Sequence, residues 1–350
     1  MAVRSCRRLG TPHGFNNERV ENFERMTRSA RHRREHVTLA RLPSGVEITT
    51  TVHSYEGPDD GPTVYVQAAQ HGREINGTEV LRRLHDELPT TDLAGKLVAV
   101  PVANPLTFDR ISYTTPEVLD SVNPNMNRVW PGDFDGSVHQ RMAAALWTYA
   151  GEADVIVDLH TGSPSMLTHT VFTQGDDCSR ELAEAFGTDL LLAEPSGEDA
   201  PETWHRRGFD GKLRVAASAE GIPAITPELA HNKQIVEDAV STGVRGTLNV
   251  LRDLGVLDGQ VIAGESPRVA RNHLGRVDAA ESGLFRPNPS LELGQRVETG
   301  DHLGHVYHPS TYEVLQRVEC DRDGICYAIT REATVKGGDR LVSVAIPVEE

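Results

Sequence analysis

The chain has 350 residues, of which 38% are hydrophobic and 25% are charged, a composition that predicts a soluble globular protein. No stretch approaches the roughly 18 consecutive apolar residues of a membrane helix. The formal net charge of -16 disfavours nucleic acid and anionic membrane surfaces as partners. The length suits one large domain with a smaller one beside it.

The N-terminal segment and the cysteines bear on the cellular compartment. The segment MAVRSCRRLG has basic residues but no apolar run after them, so we expect no secretory signal and a cytoplasmic protein. Residues 1–34 are rich in arginine and weakly apolar, which predicts a disordered tail. The cysteines are too few and too scattered for a disulfide framework, although Cys320 and Cys326 could pair across a hairpin.

Regular patterns begin at residue 37. Residues 37–57 alternate apolar and polar residues on both sides of a Pro-Ser-Gly turn, which predicts a β-hairpin. Strand-like and helical patterns then alternate, with strands predicted over 62–69, 96–104, 153–160 and 222–229 and helices over 76–88, 138–150, 179–193 and 237–255. The runs VYVQAA and VIVDL are nearly all apolar, as in strands covered on both faces. We therefore predict an α/β domain over residues 35–264, with a mixed, mostly parallel sheet flanked by helices.

The pattern changes after about residue 265. Helical patterns stop, and short strands rich in Val and Leu follow one another between Gly-containing turns, as in LELGQRVETGDHLGHVYH and VKGGDRLVSVAIP. This spacing is typical of a small antiparallel barrel or sandwich. Residues 265–350 are therefore predicted to form a small all-β domain.

Polar side chains lie at the ends of the predicted strands. The relevant residues are His71 and Glu74 after the first strand, Arg110, Asn127 and Arg128 in the long loop after the second, His160 at the end of the third, and Glu228 at the end of the fourth. Open α/β sheets bind ligands just beyond the carboxyl ends of their strands. We therefore expect these side chains to share one site.

Three of these residues suggest a metal site. Two imidazoles and one carboxylate form the ligand set of a catalytic zinc site, in which the fourth position stays open. His71 and Glu74 are three residues apart and can face one ion, and His160 can complete the set from a neighbouring strand. Each has a simpler explanation alone, because His-x-x-Glu pairs occur by chance and a histidine ending a buried strand is more often a hydrogen-bonded core residue. Their coincidence at one sheet edge favours the metal site.

The motifs around these residues resemble those of a known family. The stretches QHGREINGTEVLRRL, NPNMNRVWPG, VIVDLHTG and GIPAITPEL resemble, in this order, the motifs of the succinylglutamate desuccinylase and aspartoacylase family. Its members are zinc carboxypeptidase-like amidohydrolases that remove an acyl group from an amino acid or a related amine. The resemblance covers about residues 37–345. It implies a zinc-carboxypeptidase-like fold and a C-terminal β domain that narrows the entrance to the pocket.

The resemblance also assigns roles to individual residues. It implies that His71, Glu74 and His160 hold one Zn²⁺ ion per subunit. It implies that Glu228 is the general base that takes a proton from water and the acid that returns it to the departing amine.

Three further residues receive roles toward the substrate. The resemblance implies that Asn127 and Arg128 bind a substrate carboxylate, for which the planar guanidinium offers two parallel hydrogen bonds. It implies that Arg110 helps to polarise the scissile carbonyl.

Two polar residues near the predicted site keep alternative interpretations. Asp158 lies two residues before His160 and so on the same face of its strand. It is either a partner that orients the histidine or a buried polar group with a structural role. His169 either lines the pocket or belongs to the core or the surface.

Three functions compete on these observations. The first is a zinc-dependent deacylase acting on a small N-acylated amino acid or related amine that bears a carboxylate. The second is a metallocarboxypeptidase acting on short peptides, and the third is a non-catalytic small-molecule-binding homologue. Glu228 argues against the third, because a protein that only binds has no use for a base beside the metal. The sequence leaves the acyl group, the amine and a homo-oligomeric state open.

Overall fold

The computed structural model describes residues 29–162, 165–262, 264, 266–271 and 275–348. The helices within these residues are α1 (Asn76–Glu87), α2 (Pro105–Phe108), α3 (Val138–Ala150), α4 (Asp177–Phe186), α5 (Glu202–Arg206), α6 (Leu213–Ala219) and α7 (Glu237–Asp253). None of them has the length and apolar character of a membrane-spanning segment.

The described strands fall into two groups along the chain. The first group is β1 (Arg31–Arg41), β2 (Glu47–Glu56), β3 (Asp59–Ala68), β4 (Ala94–Val100), β5 (Val155–Gly162), β6 (His169–Thr173), β7 (Leu190–Glu194), β8 (Ala224–His231) and β9 (Arg268–Arg271). The second group is β10 (Arg276–Asp278), β11 (Gly283–Pro287), β12 (Arg296–Val297), β13 (His302–Tyr307), β14 (Val314–Glu319), β15 (Gly324–Ile329), β16 (Thr334–Val335) and β17 (Arg340–Pro347).

Most strands join one mixed sheet. Its order is β1-β2-β4-β3-β5-β8-β6-β7-β9-β17-β15-β12, with β10 beside β17. The centre is parallel, because β3 pairs with β4 and β5, and β5 pairs with β8. Strands β1, β2 and β6 run antiparallel to their neighbours β2, β4 and β8. The predicted mixed α/β sheet with flanking helices is confirmed.

Helices cover both faces of the sheet. Val64 and Val66 of β3 belong to a hydrophobic core shared with α1, α4 and α7. Tyr65, between them in the sequence, belongs to a second core shared with α3 and α6. Successive side chains of a strand point to opposite faces, so a strand buried on both sides needs apolar residues at every position. This explains the continuous apolar runs in the sequence.

The C-terminal strands form a second, all-β part. Strands β14, β13, β11 and β16 make a separate antiparallel sheet in that order, and a core around Phe285 packs beneath it. The large sheet nevertheless continues into this part, because β9 pairs with both β7 and β17. A smaller core around Ile325 fills the junction. The boundary at 264/265 stays a prediction.

Cys320 and Cys326 are buried free thiols, so the hairpin disulfide is not formed.

One predicted helix is divided in the structure. The prediction of a helix over 179–193 is wrong beyond Phe186, where α4 ends and Gly187 adopts a φ of 82°. This left-handed conformation suits glycine and often terminates helices. The following residues form β7, which is buried between β6 and β9. A short apolar run fits a buried strand as well as a helix, so periodicity did not separate them. Strand β6 was also missed.

The first strand begins inside the segment predicted as a tail. Strand β1 starts at Arg31, which is in register with Glu56 of β2. The Arg31 Nε atom also lies 3.2 Å from the Glu56 carboxylate. Pairing with β2 orders residues 31–34, so the prediction of disorder is wrong for them. Residues 1–28 of the predicted tail lie outside the described residues.

Candidate active site

His71, Glu74 and His160 meet at one edge of the sheet. The first two lie in the loop between β3 and α1, and His160 lies in β5, which is parallel to β3. A hydrogen bond of 3.0 Å from Glu74 N to His71 O closes the loop into a turn. A Cβ on Gly72 would lie 2.0 Å from the carbonyl carbon of Thr107. Glycine at this position therefore lets the turn pack against the segment that follows β4.

The three side chains converge on one point. One ligand atom from each lies within 4.8 Å of the other two. His71 Nδ1 is 3.0 Å from Glu74 Oε1, and His160 Nδ1 is 2.9 Å from Glu74 Oε2. All three residues are buried. Two imidazole nitrogens and a carboxylate that face one point are the donor set of a catalytic zinc site, so the residues fit such an ion.

Polar side chains hold the outer ring nitrogens of both histidines. His71 Nε2 is 3.1 Å from Asn125 Oδ1, and His160 Nε2 is 2.9 Å from Asp158 Oδ2. Asp158 also accepts a hydrogen bond of 2.9 Å from Gln67 Nε2. Contacts of this kind fix the ring orientation of metal-ligating histidines. Sequence reasoning placed Asp158 on the correct face but missed Asn125, although Asn125 lies within the NPNMNR motif.

In this cluster, neighbouring charges shift the pKa values in the direction opposite to that expected from burial. Burial alone would raise the pKa of Glu74, but the His71 and His160 imidazoles outweigh it and lower that pKa to about 2. Burial alone would lower the pKa of His160, but Asp158 and Glu74 raise it well above its usual value. The carboxylates on both sides of His160 therefore make this point of the structure attractive to a cation.

Glu228 approaches the cluster from the neighbouring strand β8. It is in register with His160 of β5 on one side and with His169 of β6 on the other. Its side chain lines the cavity described below. Burial raises the pKa of Glu228 to about 7, against the opposing effect of His160. A carboxyl group with this pKa can both accept and return a proton near neutral pH.

A cavity of about 440 Å³ opens above these residues. The cavity is lined by His71, Glu74, His160 and Glu228, and also by His169. Strands β15 and β17 contribute to its wall, through Tyr327 and Arg340 respectively. The cavity is of the size that binds small molecules.

Asn127 and Arg128 lie together in the wall of this cavity. Both belong to a short 3₁₀ turn, Met126–Arg128. Asn127 Oδ1 accepts a hydrogen bond of 3.1 Å from Leu213 N, which leaves the amide NH₂ group as the donor for a ligand. The Arg128 guanidinium lies 4.5 Å from the centre of the Phe209 ring, a contact that holds it in the wall.

Comparison with known proteins identifies the family. The family model of the succinylglutamate desuccinylase/aspartoacylase catalytic domain matches residues 60–254. That range exceeds half of the chain and contains the three converging side chains and Glu228. The chain belongs to the succinylglutamate desuccinylase/aspartoacylase family. The resemblance of the four sequence motifs is thereby confirmed, and the chain is a member of a family of deacylating hydrolases.

Individual relatives agree with this assignment. The chain is 28% identical over 308 residues to the N-alpha-acetyl-L-2,4-diaminobutyric acid deacetylase of Halomonas elongata, with 83% of this chain and 84% of the relative covered. It shares its fold with a succinylglutamate desuccinylase/aspartoacylase of Rhodobacter sphaeroides at a TM-score of 0.78 and 22% identity, over 92% of this chain and 97% of the other. The product-bound ectoine utilization protein EutE (DoeB) of Ruegeria pomeroyi gives a TM-score of 0.77 at 23% identity, over 91% and 96% of the two chains.

This member of the family has an ion-pair cluster in the cavity wall that sequence reasoning missed. Glu194 at the end of β7 accepts hydrogen bonds from Lys212 Nζ at 2.9 and 3.0 Å, and the Arg214 guanidinium also contacts it. All three residues line the cavity. Burial would raise the pKa of Glu194, but the two cations outweigh burial and lower it. The strand that carries Glu194 was predicted as helix, so the position of this residue in the cavity wall was not recognisable.

Arg110 is the predicted site residue that the structure does not bring to the others. It follows α2 in an exposed turn and does not line the cavity, so its predicted contact with the scissile carbonyl is not supported. Arg73, between His71 and Glu74 in the first motif, does line the cavity and lies 5.0 Å from the centre of the Tyr113 ring. The loop between α2 and Asn127 turns Arg110 toward solvent, a path that the linear sequence does not reveal.

Proposed function

We propose that the protein is a zinc-dependent deacylase that hydrolyses the amide bond of a small N-acylated amino acid or diamino acid. The observation that carries the proposal is the convergence of His71, Glu74 and His160 at one buried point, with Glu228 beside them in a cavity of about 440 Å³. Family membership supports a deacylase rather than a metallocarboxypeptidase. The wall supplied by β15 and β17 also favours a small substrate over a peptide.

Glu228 is proposed to move the proton. Zinc, when bound, supplies a Lewis acid and lowers the pKa of water toward 7. Glu228 takes a proton as the water oxygen forms a bond to the acyl carbon of the amide. It then returns this proton to the amine nitrogen as the carbon–nitrogen bond breaks, and the acyl group leaves as a carboxylic acid, which then loses its own proton near neutral pH. A pKa of about 7 for Glu228 suits both transfers.

The cations of the cavity are proposed to select a substrate that bears a carboxylate. They are Arg73, Arg128, Lys212, Arg214 and Arg340. Lys212 and Arg214 are paired with Glu194, whereas Arg128 lines the cavity together with Asn127, whose amide oxygen is already bonded to Leu213 N. A guanidinium next to an amide donor matches the geometry of a carboxylate. The Halomonas elongata relative is named for an acetylated diamino acid, which has such a group and agrees with this choice.

Substitution of Glu228 tests the proposed base. Glu228→Gln keeps the size of the side chain but cannot accept the proton, so kcat should fall by about 100-fold or more. Zinc content measured by elemental analysis should not change, because Glu228 is not one of the three ligands. Glu220→Gln, at an exposed position, is the matched control and should keep wild-type kcat. Wild-type turnover by Glu228→Gln would remove this residue from the mechanism.

A substrate screen tests the proposed class. Zinc-loaded protein should release free amine from at least one member of a panel of N-acetyl, N-succinyl and N-formyl amino acids and N-acetylated diamino acids. The matching C-terminal amides, which lack the carboxylate, should be poor substrates. Cleavage of C-terminal residues from short peptides, without deacylation, would instead support the metallocarboxypeptidase.

A further inference from the structure

Three histidines converge at a second place, outside the cavity. His32 lies on β1, His53 on β2 and His85 in the last turn of α1. One ring nitrogen from each lies within 4.8 Å of the other two. His32 and His85 are exposed and His53 is half-buried, so the cluster is accessible to an ion from solvent. None of the three lines the cavity of the proposed active site.

The His32 and His53 nitrogens lie close to the positions that one metal ion requires. His32 Nε2 and His53 Nδ1 are 3.0 Å apart. Two nitrogens that each lie 2.0–2.1 Å from a zinc-sized ion at a tetrahedral angle are separated by about 3.3 Å. The observed pair therefore needs a shift of only a few tenths of an ångström to bind one ion. The centres of the His32 and His85 rings are 4.9 Å apart, which keeps the third imidazole within reach.

Tyr55 orients the third imidazole. Its hydroxyl oxygen is 2.9 Å from His85 Nδ1, and its ring stacks on His32 at a centroid distance of 4.5 Å. Tyr55 is itself only 4% exposed, so its hydroxyl is a fixed partner. With Nδ1 bonded to Tyr55, Nε2 is the ring nitrogen of His85 that remains to bind an ion. Ligating histidines commonly have their second nitrogen bonded to a polar group, and Tyr55 plays that part here.

We propose that His32, His53 and His85 form a second metal site, which binds Zn²⁺ or a similar divalent cation that prefers imidazole ligands. Three protein ligands leave the fourth position to water. The ion would tie β1, a strand at the edge of the sheet, to β2 and to the end of α1. The site would then stabilise the N-terminal edge of the fold and would take no part in the proposed reaction. The overall charge of -16 favours cation binding, and Arg34, which acts electrostatically on His32 and His53, opposes it.

Metal stoichiometry tests the second site. After equilibration with buffered Zn²⁺ and removal of free metal, elemental analysis should find two ions per wild-type chain and one in His85→Ala. His160→Ala, which removes a ligand of the proposed active site, should also retain one, and the double variant none. His36→Ala, an exposed histidine farther along β1, is the matched control and should retain two. Equal zinc content in wild type and His85→Ala would overturn the proposal.

Affinity and stability provide a second measurement. In the His160→Ala background, Zn²⁺ should raise the melting temperature, because an ion that binds only the native state stabilises it. Adding His32→Ala should abolish this rise, and Tyr55→Phe should weaken Zn²⁺ binding about 10- to 100-fold, as expected for loss of an orienting partner. A rise that persists after His32→Ala would contradict the assignment. A loss of deacylase activity in the single variant His160→Ala would bear only on the proposed active site. The proposed function and the second metal site can therefore be disproved independently.

Discussion

Arg128 and its neighbours are held in place by contacts within the protein. Its Nη1 donates a hydrogen bond of 2.5 Å to the Asn127 carbonyl oxygen, and its guanidinium packs on Phe209. The backbone of Gly211 packs so closely that a Cβ there would lie 2.0 Å from the Arg128 carbonyl oxygen. A side chain fixed in this way loses little freedom when it binds a carboxylate.

Replacement of Arg128 by lysine should weaken substrate binding. Lysine keeps the charge but loses the planar pair of donors and the stacking on Phe209. We expect KM for a carboxylate-bearing substrate to rise about 10- to 100-fold, the range of one charge-assisted hydrogen bond, with a smaller change in kcat. Steady-state kinetics would measure it. Arg206→Lys, at an exposed position of α5, should leave KM unchanged, and an unchanged KM in Arg128→Lys would exclude the proposed contact.

At the level of elements, the junction between α4 and β7 determines part of the site. Gly187 ends α4, and the chain then enters β7, whose last residue is Glu194. Glu194 pairs with Thr173 of β6, which runs antiparallel to β8, so Glu194 lies several residues along the sheet from Glu228 and its side chain lines the cavity from there. The helix therefore has to stop at Gly187 for the Glu194 ion-pair cluster to form.

Substitution of Gly187 should destabilise the fold. Its φ of 82° is unfavourable for a residue with a Cβ, so Gly187→Ala should lower the free energy of unfolding by about 1 kcal/mol. The nearest atom to an added Cβ is 3.7 Å away, so the cost comes from backbone conformation and not from a clash. Denaturant unfolding would measure it. Gly187→Asn, which tolerates this conformation better, should cost less. Equal stability of Gly187→Ala and wild type would show that this backbone conformation is not required.

At the scale of the whole molecule, buried polar residues lie where the first group of strands, β1–β9, meets the C-terminal strands. His169 of β6 is 2% exposed, and its ring packs edge-on against Tyr327 of β15 at a centroid distance of 5.3 Å. His169 Nδ1 is 2.8 Å from Leu167 O. Burial lowers the pKa of His169 from 6.5 to about 4. The junction between the two parts therefore contains an imidazole that must stay neutral.

This histidine should make the fold sensitive to acid. The unfolded chain binds a proton at His169 near pH 6.5 and the folded chain only near pH 4, so stability is lost as the pH falls through this window. The loss amounts to about 3 kcal/mol at most. Denaturant unfolding of chelator-treated protein should show a smaller decrease between these pH values for His169→Gln than for wild type. Exposed His36→Gln should behave as wild type. The same decrease in His169→Gln as in wild type would refute the assignment.

Local patterns in the sequence determined the class of fold and the motif that contains His71 and Glu74. Continuous apolar runs marked strands covered on both faces, and the turn that holds His71 and Glu74 follows one of them directly. His71 and Glu74 lie in one short loop, so the sequence alone indicates that their side chains are close together. His160 was also recognisable, since a strand end in an open α/β sheet is where ligand-binding side chains are expected.

Tertiary structure alone decided which distant residues join this centre. Asn125 reaches His71 through the path of its loop, Glu194 reaches the cavity through the order of the strands, and the path of its loop takes Arg110 away from the cavity. The boundary of α4 depends on packing on both faces of β7, which local periodicity does not record. The convergence of His32, His53 and His85 joins residues from three elements, so only their pairing in space reveals it.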